Sequence, residues 1–342
     1  MSRVTKLLSV LLALTMLAAA CSDDDSTGAS GDLPTVVVTT NILGDVVTEL
    51  TGGAVEVVTI MPVGADPHDF QASAQQVDAM RNADVLIVNG GSFEEGLLDV
   101  IEGAESDGVS VYEAMSVVST IEFGSGHDDH DDHEGDDDHD DHDDHEGDDD
   151  HEGHDDHEGH NHSGEDPHFF TDPAQMAAAV DGIAAFLIAN IDGIDSDTVT
   201  EAAEAYHGEL EALDAEVAAL VDGIPAENRV LVTNHEVFGY FADRYGFEVA
   251  GAIIPSGSTL DGTSAAGLAE LAELIAEEGV PAIFSDVSAS DQLAQTLADE
   301  VGSGVQVVEL FTESLGDSDS EGATYIDMVR TNATRIAGAL AS

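Results

Sequence analysis

Fifteen histidines carry most of the chemistry available to this chain, and they fall into two groups. Eleven of them (His127, His130, His133, His139, His142, His145, His151, His154, His157, His160 and His162) crowd into one short segment, mostly three residues apart and flanked by Asp and Glu. Neutral imidazole is a good donor to zinc, copper and nickel, and carboxylates can complete the shell. The segment opens with two copies of HDDHDDHEGDDD, at 127–138 and 139–150, and decays into HEGHDDHEGHNH. It holds twenty acids, no base and no apolar residue able to build a core, so it is expected to be disordered without metal. Such a strip offers many weak, interchangeable sites. It signals metal binding without selecting a metal.

The other four histidines stand alone. His207 lies mid-way along a helical stretch and reads as an ordinary surface residue. His68 follows the β-branched run Val55–Met61, in MPVGADPH, and His235 comes right after Val230–Thr233. His168 stands in DPHFFTDP, an echo of the DPH at 66–68. Proline before histidine stiffens the backbone, and the aromatics after His168 can exclude water. Two carboxylates compete to join them. Glu313 directly follows the run Val305–Leu310, and Asp286 follows Ala282–Phe284. Residue chemistry alone leaves that choice open.

These residues need a scaffold, and the sequence specifies one. Short β-branched runs at Val36–Thr39, Val55–Met61, Val85–Asn89 and Val109–Tyr112 alternate with helical stretches at about 42–51, 73–81 and 93–102. The pattern restarts with Val230–Thr233, Val249–Ile254, Ala282–Phe284 and Val305–Leu310, separated by helices at about 236–245, 265–278 and 290–300. Alternation of this kind implies parallel sheets with right-handed crossovers. The expected fold is therefore α/β, with two lobes, each a mainly parallel four-stranded sheet flanked by helices. Ligands in open parallel sheets gather at the carboxyl ends of strands, where His68 and His235 sit. Between the lobes, Val199, Tyr206, Leu213 and Leu220 recur every seven residues, interleaved with Ala203, Leu210 and Val217. That stripe predicts one long amphipathic helix, a stiff link between lobes. The expected parts are an N-terminal lobe at 33–195 with a disordered loop at 119–164, the linking helix at 196–224, and a second lobe at 225–342.

The first residues read as an address. Arg3 and Lys6 precede an apolar run from Leu7 to Ala20 that is too short to span a bilayer. It ends in LAAAC, so residues 1–20 are expected to be a signal peptide and Cys21, the chain's one cysteine, to be lipidated. An exported protein with a single cysteine has no internal disulfide, and lipidation accounts for the thiol. Residues 21–32 then form a polar tether to the membrane. Without 1–20, five arginines face 72 acids, a net charge of −67. That sign repels phosphate backbones and argues against nucleic acid as a partner. A lysine-free acidic surface also fits adaptation to high salt.

Over residues 35–340 the chain resembles the metal-specific solute-binding proteins of bacterial zinc and manganese ABC importers, known as cluster A-I or cluster 9. The matching pieces are GADPHDFQAS at 64–73, DPHFFTDP at 166–173, VTNHEVFGYFADRYG from Val232, and LFTESLGDSDSEGATYIDMVRTNATRIAGAL from Leu310. The resemblance implies a metal site in the interlobe cleft with His68, His168, His235 and Glu313 as ligands. The family more often has aspartate at the last position and, in many members, a disulfide that this chain lacks. Manganese-type members tend to have glutamate where this chain has His235, and three imidazoles with one carboxylate suit Zn²⁺ better than Mn²⁺. The resemblance thus implies an extracytoplasmic protein, no enzyme, that captures zinc and delivers it to the permease and ATPase of an ABC importer. It would act as a monomer, with the histidine-rich loop as an auxiliary collector or sensor. A manganese or dual-metal binder, or a surface metal buffer or adhesin, is the alternative. Four protein ligands close a shell in which catalytic zinc keeps a water, and no HExxH pairing is present.

Overall fold

The computed structural model describes residues 33–123, 164–302 and 304–341. The signal peptide, the tether with Cys21 and the eleven clustered histidines fall outside those residues. From Pro34 onward the chain builds two sheets. The first lobe runs β1 (Thr35–Val38), α1 (Asn41–Thr51), β2 (Glu56–Thr59), α2 (Ala74–Arg81), β3 (Val85–Val88), α3 (Leu98–Ser106) and β4 (Ser110–Glu113). Two helices follow, α4 (Pro173–Asn190) and α5 (Ser196–Val221). The second lobe runs β5 (Val230–Thr233), α6 (Gly239–Tyr245), β6 (Glu248–Ala252), α7 (Ala265–Glu278), β7 (Ala282–Asp286), α8 (Gln292–Val301) and β8 (Gln306–Leu310), and closes with α9 (Tyr325–Leu340).

Both sheets are parallel throughout, in the orders β2-β1-β3-β4 and β6-β5-β7-β8. The central strand β3 is apolar along its length, and β7 is apolar as far as Phe284. All four residues of β3 (VLIV) and all five of β7 (AIFSD) are buried, as a strand covered on both faces requires. Helix ends follow from local chemistry. Ser73 and Gln76 form a reciprocal capping box at α2, and Asp172 caps α4 with Pro173 in its first turn. Gly246 and Gly279 end α6 and α7 in the left-handed conformation.

One core is shared by both lobes. It joins Val36, Val46 and Ile87 of the first to Leu231, Phe284 and Leu310 of the second through α4, α5 and α9. Helix α5 buries Val199, Ala203, Tyr206, Leu210, Leu213, Val217 and Val221, and it packs on α1, α4 and α9. Val221 replaces the expected Leu220 at the end of the stripe, because a straight helix of 3.6 residues per turn drifts off a seven-residue repeat. Helix α4 is apolar enough on composition to cross a membrane, but here it is a core helix packed along α5.

Three expectations need correction. The stretch 93–102 is a 3₁₀ turn at Glu95–Leu97 followed by α3. The helix expected from 236 begins at Gly239, because His235 to Phe238 form the turn that carries a site residue. The loop expected at 119–164 is too wide at both ends. The Ser119 N–H donates to Gln175 Oε1 at 3.0 Å, Glu122 pairs with Glu165 in an antiparallel bridge, and the Phe123 N–H donates to the Gly164 carbonyl at 3.2 Å.

Candidate metal centre

The turns after β2, β5 and β8, with the DPH segment before α4, meet between the lobes. His68, His168, His235 and Glu313 each offer one donor atom there, all within 4.8 Å of one another. All four side chains are buried. The three imidazole centroids form a nearly equilateral triangle with sides of 5.8, 5.9 and 5.5 Å. Glu313 Oε1 lies 2.9 Å from His68 Nε2 and 3.2 Å from the Nε2 atoms of His168 and His235. The His235 contact is close but too poorly aligned for a hydrogen bond. Both its ring nitrogens and Glu313 Oε2 are buried without a hydrogen-bond partner among the described residues. Buried polar atoms seldom go unpaired, and three nitrogens with one carboxylate make a four-donor set suited to a tetrahedral cation. The donors fit a metal.

The two DPH segments share a backbone device. In each, the aspartate Oδ1 accepts the N–H of the histidine two residues on, at 2.9 Å for both Asp66 with His68 and Asp166 with His168. Asp166 Oδ1 also takes the His168 ring, 2.8 Å from Nδ1. Asp66 instead spends its other oxygen on the Thr259 hydroxyl of the second lobe, at 2.6 Å. The His68 ring meets Glu95, with Nδ1 3.1 Å from Oε1. His168 is held further by Asn89, whose Nδ2 donates to the Pro167 carbonyl at 3.0 Å. Buried Glu94 anchors that strand end by accepting from the Asn89 N–H and the Thr39 hydroxyl, both at 2.6 Å. Burial raises its pKa. Phe93 presses edge-on against His68 and His168, and Phe170 against His168, so the apolar wall lies on the first-lobe side.

The second lobe closes from the other side. The Thr233 hydroxyl donates to the His235 carbonyl at 2.7 Å, and the Glu236 N–H donates to Ser256 at 2.9 Å. The Ser314 hydroxyl accepts from the Asn41 side chain and from the Gly64 N–H, each at 2.8 Å. Gly64 has φ 74°, a conformation that favours glycine. Tyr240 of α6 donates to the Asp166 carbonyl at 2.9 Å, and Tyr325 of α9 donates to the Phe170 carbonyl at 2.8 Å. A Cβ on Gly239 would run into the Asp166 carboxylate, which would have to shift to make room for it.

Burial alone would pull the His168 imidazolium down. The Asp166 carboxylate, through its charge and hydrogen bond, and then Glu313 outweigh that and push it up to about 9. Burial likewise opposes ionisation of Glu313, but the charge of His235 and the hydrogen bonds of His168 and His68 hold its carboxyl well below the usual range. Asp286, the competing carboxylate, ends β7 and is buried. Its Oδ1 accepts the Ser288 N–H at 2.7 Å, and it is not among the converging donors. Burial, then the charge of Glu313, raises its pKa. His207 stays on the surface of α5, with Nδ1 3.1 Å from Asp181. Glu95, Asn89, Glu94 and Thr259 carry no sequence signal, because each acts through the fold rather than through spacing.

Beside His68 a cleft of about 410 Å³ opens to solvent, lined by Glu95, Phe123, Gly164, Ser256 and Asp261 among others. Phe123 and Gly164 are where the described chain leaves for, and returns from, the histidine-rich segment.

Residues 36–339 match the family described as zinc-uptake complex component A, periplasmic (ZnuA). The zinc-binding protein TroA of Treponema pallidum is 30% identical over 98% of both chains. The manganese-binding lipoprotein MntA of Halalkalibacterium halodurans is 26% identical over 94% of both. A solved structure of the periplasmic zinc binding protein TroA from Treponema pallidum superposes with a TM-score of 0.76 at 29% identity, covering 91% of this chain and 100% of that one. With that span and those relatives, the chain belongs to the ZnuA family of periplasmic metal-binding components of ABC importers.

Proposed function

We propose that this chain captures Zn²⁺ outside the cytoplasmic membrane and delivers it to the permease and ATPase of an ABC importer. His68 and His168 from the first lobe, with His235 and Glu313 from the second, are its ligands. The observation that carries this reading is the convergence of three Nε2 atoms on one carboxylate, all buried, from segments far apart in sequence. An ion held by both lobes bridges the cleft. The shared core and the packing of α5 favour a small tilt or a loop rearrangement on loading over a wide hinge motion. Release requires the permease to separate the ligands or protonate them, because a bound imidazole must be neutral.

The remaining parts follow from sequence. Cys21 anchors the chain by lipid, residues 21–32 tether it, and it acts as a monomer with lobes at 33–195 and 225–342 joined through 196–224. The eleven histidines of 127–162 gather zinc for the site, a role favoured by the position of Phe123 and Gly164, the described residues that flank the segment, on the lining of the cleft. Deleting 127–162 should slow loading at scarce zinc and leave the affinity of the site nearly unchanged; unaltered uptake would refute the collecting role.

A manganese role is the second reading, favoured by the name of the Halalkalibacterium relative. Metal content and competition on the mature chain and on a form lacking 127–162 separate the two. One tight zinc in the loopless form, lost in His235→Ala and not displaced by excess Mn²⁺, supports zinc capture. Displacement by Mn²⁺ supports the second reading, and no tight metal in the loopless form defeats both.

A further inference from the structure

The repeated DPH segment is not repeated in three dimensions. Asp166 supports both the backbone and the ring of His168, whereas Asp66 supports only the backbone of His68. Its second oxygen is committed to Thr259 across the cleft. The ring support that Asp66 does not give comes from Glu95, 27 residues further on, in the 3₁₀ turn before α3. Asp166 is buried, but the Glu95 side chain is 34% exposed and lines the open cleft beside His68.

We infer that Glu95 is a positioning residue for metal capture, a role that rests on the reading of His68 as a ligand. A metal-binding imidazole works through one nitrogen only if the other holds the proton, and a carboxylate on that other nitrogen fixes both tautomer and ring angle. Glu95 Oε1 accepts the Nδ1 proton of His68, which leaves the Nε2 lone pair facing His168, His235 and Glu313. Removing such a partner weakens metal binding by about 10–100-fold. Because the carboxylate sits at the cleft wall and not in the core, its removal tests positioning without dismantling the fold. The His235 ring has no such support, since its Nδ1 is buried with no partner among the described residues. The histidines of the first lobe are thus the oriented pair.

The test uses the mature chain with its loop intact. Glu95→Ala, Glu95→Gln, Asp99→Asn and His68→Ala are compared with the parent by zinc competition against a chelator. The loop is the same in every variant, so differences report the cleft. Asp99 is an exposed acid on the first turn of α3 and controls for the loss of one negative charge. Nitrogen-15 spectra of the zinc-loaded imidazoles read the Nδ1 proton of His68 directly. The expected result is zinc binding at least tenfold weaker in Glu95→Ala, with part recovered in Glu95→Gln, which keeps an acceptor oxygen. Asp99→Asn stays within twofold, and the Nδ1–H signal of His68 shifts or broadens in Glu95→Ala alone among the exposed-acid variants. Glu95→Ala within twofold of the parent, or Asp99→Asn falling as far as Glu95→Ala, overturns the inference. Unchanged binding in His68→Ala overturns instead the ligand reading beneath it.

Discussion

Glu313 Oε1 lies 2.9 Å from His68 Nε2, although 245 residues of chain separate them. The same oxygen stands 3.2 Å from His168 Nε2 and from His235 Nε2. One carboxylate from the second lobe therefore faces both histidines of the first. The Glu313 side chain thus brings one carboxylate oxygen within 3.2 Å of all three Nε2 atoms.

The first prediction concerns that carboxylate. Glu313→Ala should weaken zinc binding by at least about 100-fold, because a tetrahedral shell loses its one anionic donor. Asp286→Asn should change it by less than tenfold, since Asp286 is turned to the Ser288 N–H. Equilibrium competition against a chelator measures both. Tight binding that survives in Glu313→Ala and fails in Asp286→Asn would reverse the two roles.

A second prediction concerns pH. His168 is held up at about 9 in the folded, metal-free chain, against 6.5 for a free side chain. Its contribution to stability is fully present below about pH 6.5 and is lost as pH rises through about 9, a change on the order of 1–3 kcal/mol. Glu313, held low, contributes above its ordinary value of 4.5 and loses that contribution as pH falls. Metal-free protein should thus be most stable at mildly acid pH and lose several degrees of Tm toward pH 9. Zinc affinity should move the other way, tightening from pH 6 to 9 as binding expels the His168 proton. Calorimetry in buffers of different ionisation enthalpy should show about one proton released per zinc near pH 7.5. Proton release near zero would contradict this account.

A third prediction tests the approach of α6 to the site. Gly239→Ala places a methyl against the Asp166 carboxylate, which holds both the backbone and the ring of His168. The variant should lose about 1–3 kcal/mol of stability and bind zinc about tenfold more weakly. Thermal melts and chelator competition report the two effects separately. Parent-like values in both would mean that α6 does not constrain Asp166.

Much of this architecture is legible in the sequence, and the exceptions have physical causes. The strands announce themselves because parallel strands buried on both faces are continuous β-branched runs, as in Val36–Val38 and Val85–Val88. Helix α4 leaves no periodic signal, since PAQMAAAVDGIAAFLIAN is apolar on nearly every side and packs inside the core. Helix α9 is hidden for another reason: its buried residues include Asn332, which reads as polar but takes the Phe311 N–H at 2.9 Å and donates to its carbonyl at 2.6 Å. His68 and His235 are visible as histidines at strand ends, and His168 through its echo of the first DPH. The choice of Glu313 over Asp286 requires the fold or a family pattern, because both are buried carboxylates beside neighbouring strands, Asp286 at the end of β7 and Glu313 just beyond the end of β8.

The surface charge supports a fourth prediction. With a net charge of −65 and seven basic residues, the folded chain repels itself. Several arginines serve as local stitches: Arg244 holds Asp214 at 2.6 Å, and Arg330 bridges Glu216 and Asp327. Raising sodium chloride from about 0.1 to 1 M shortens the screening length from about 10 to 3 Å, and the Tm of the metal-free chain should rise by several degrees. A Tm that is flat or falls would show that self-repulsion does not limit stability.

The most direct measurement is X-ray absorption at the zinc edge on the form lacking 127–162, loaded with one equivalent of zinc. The expected result is a four-coordinate shell of three imidazole nitrogens at about 2.0–2.1 Å and carboxylate oxygen at about 2.0–2.2 Å, with one imidazole lost in His235→Ala. A shell dominated by oxygen and water, unchanged by that substitution, would contradict a zinc site built from His68, His168, His235 and Glu313.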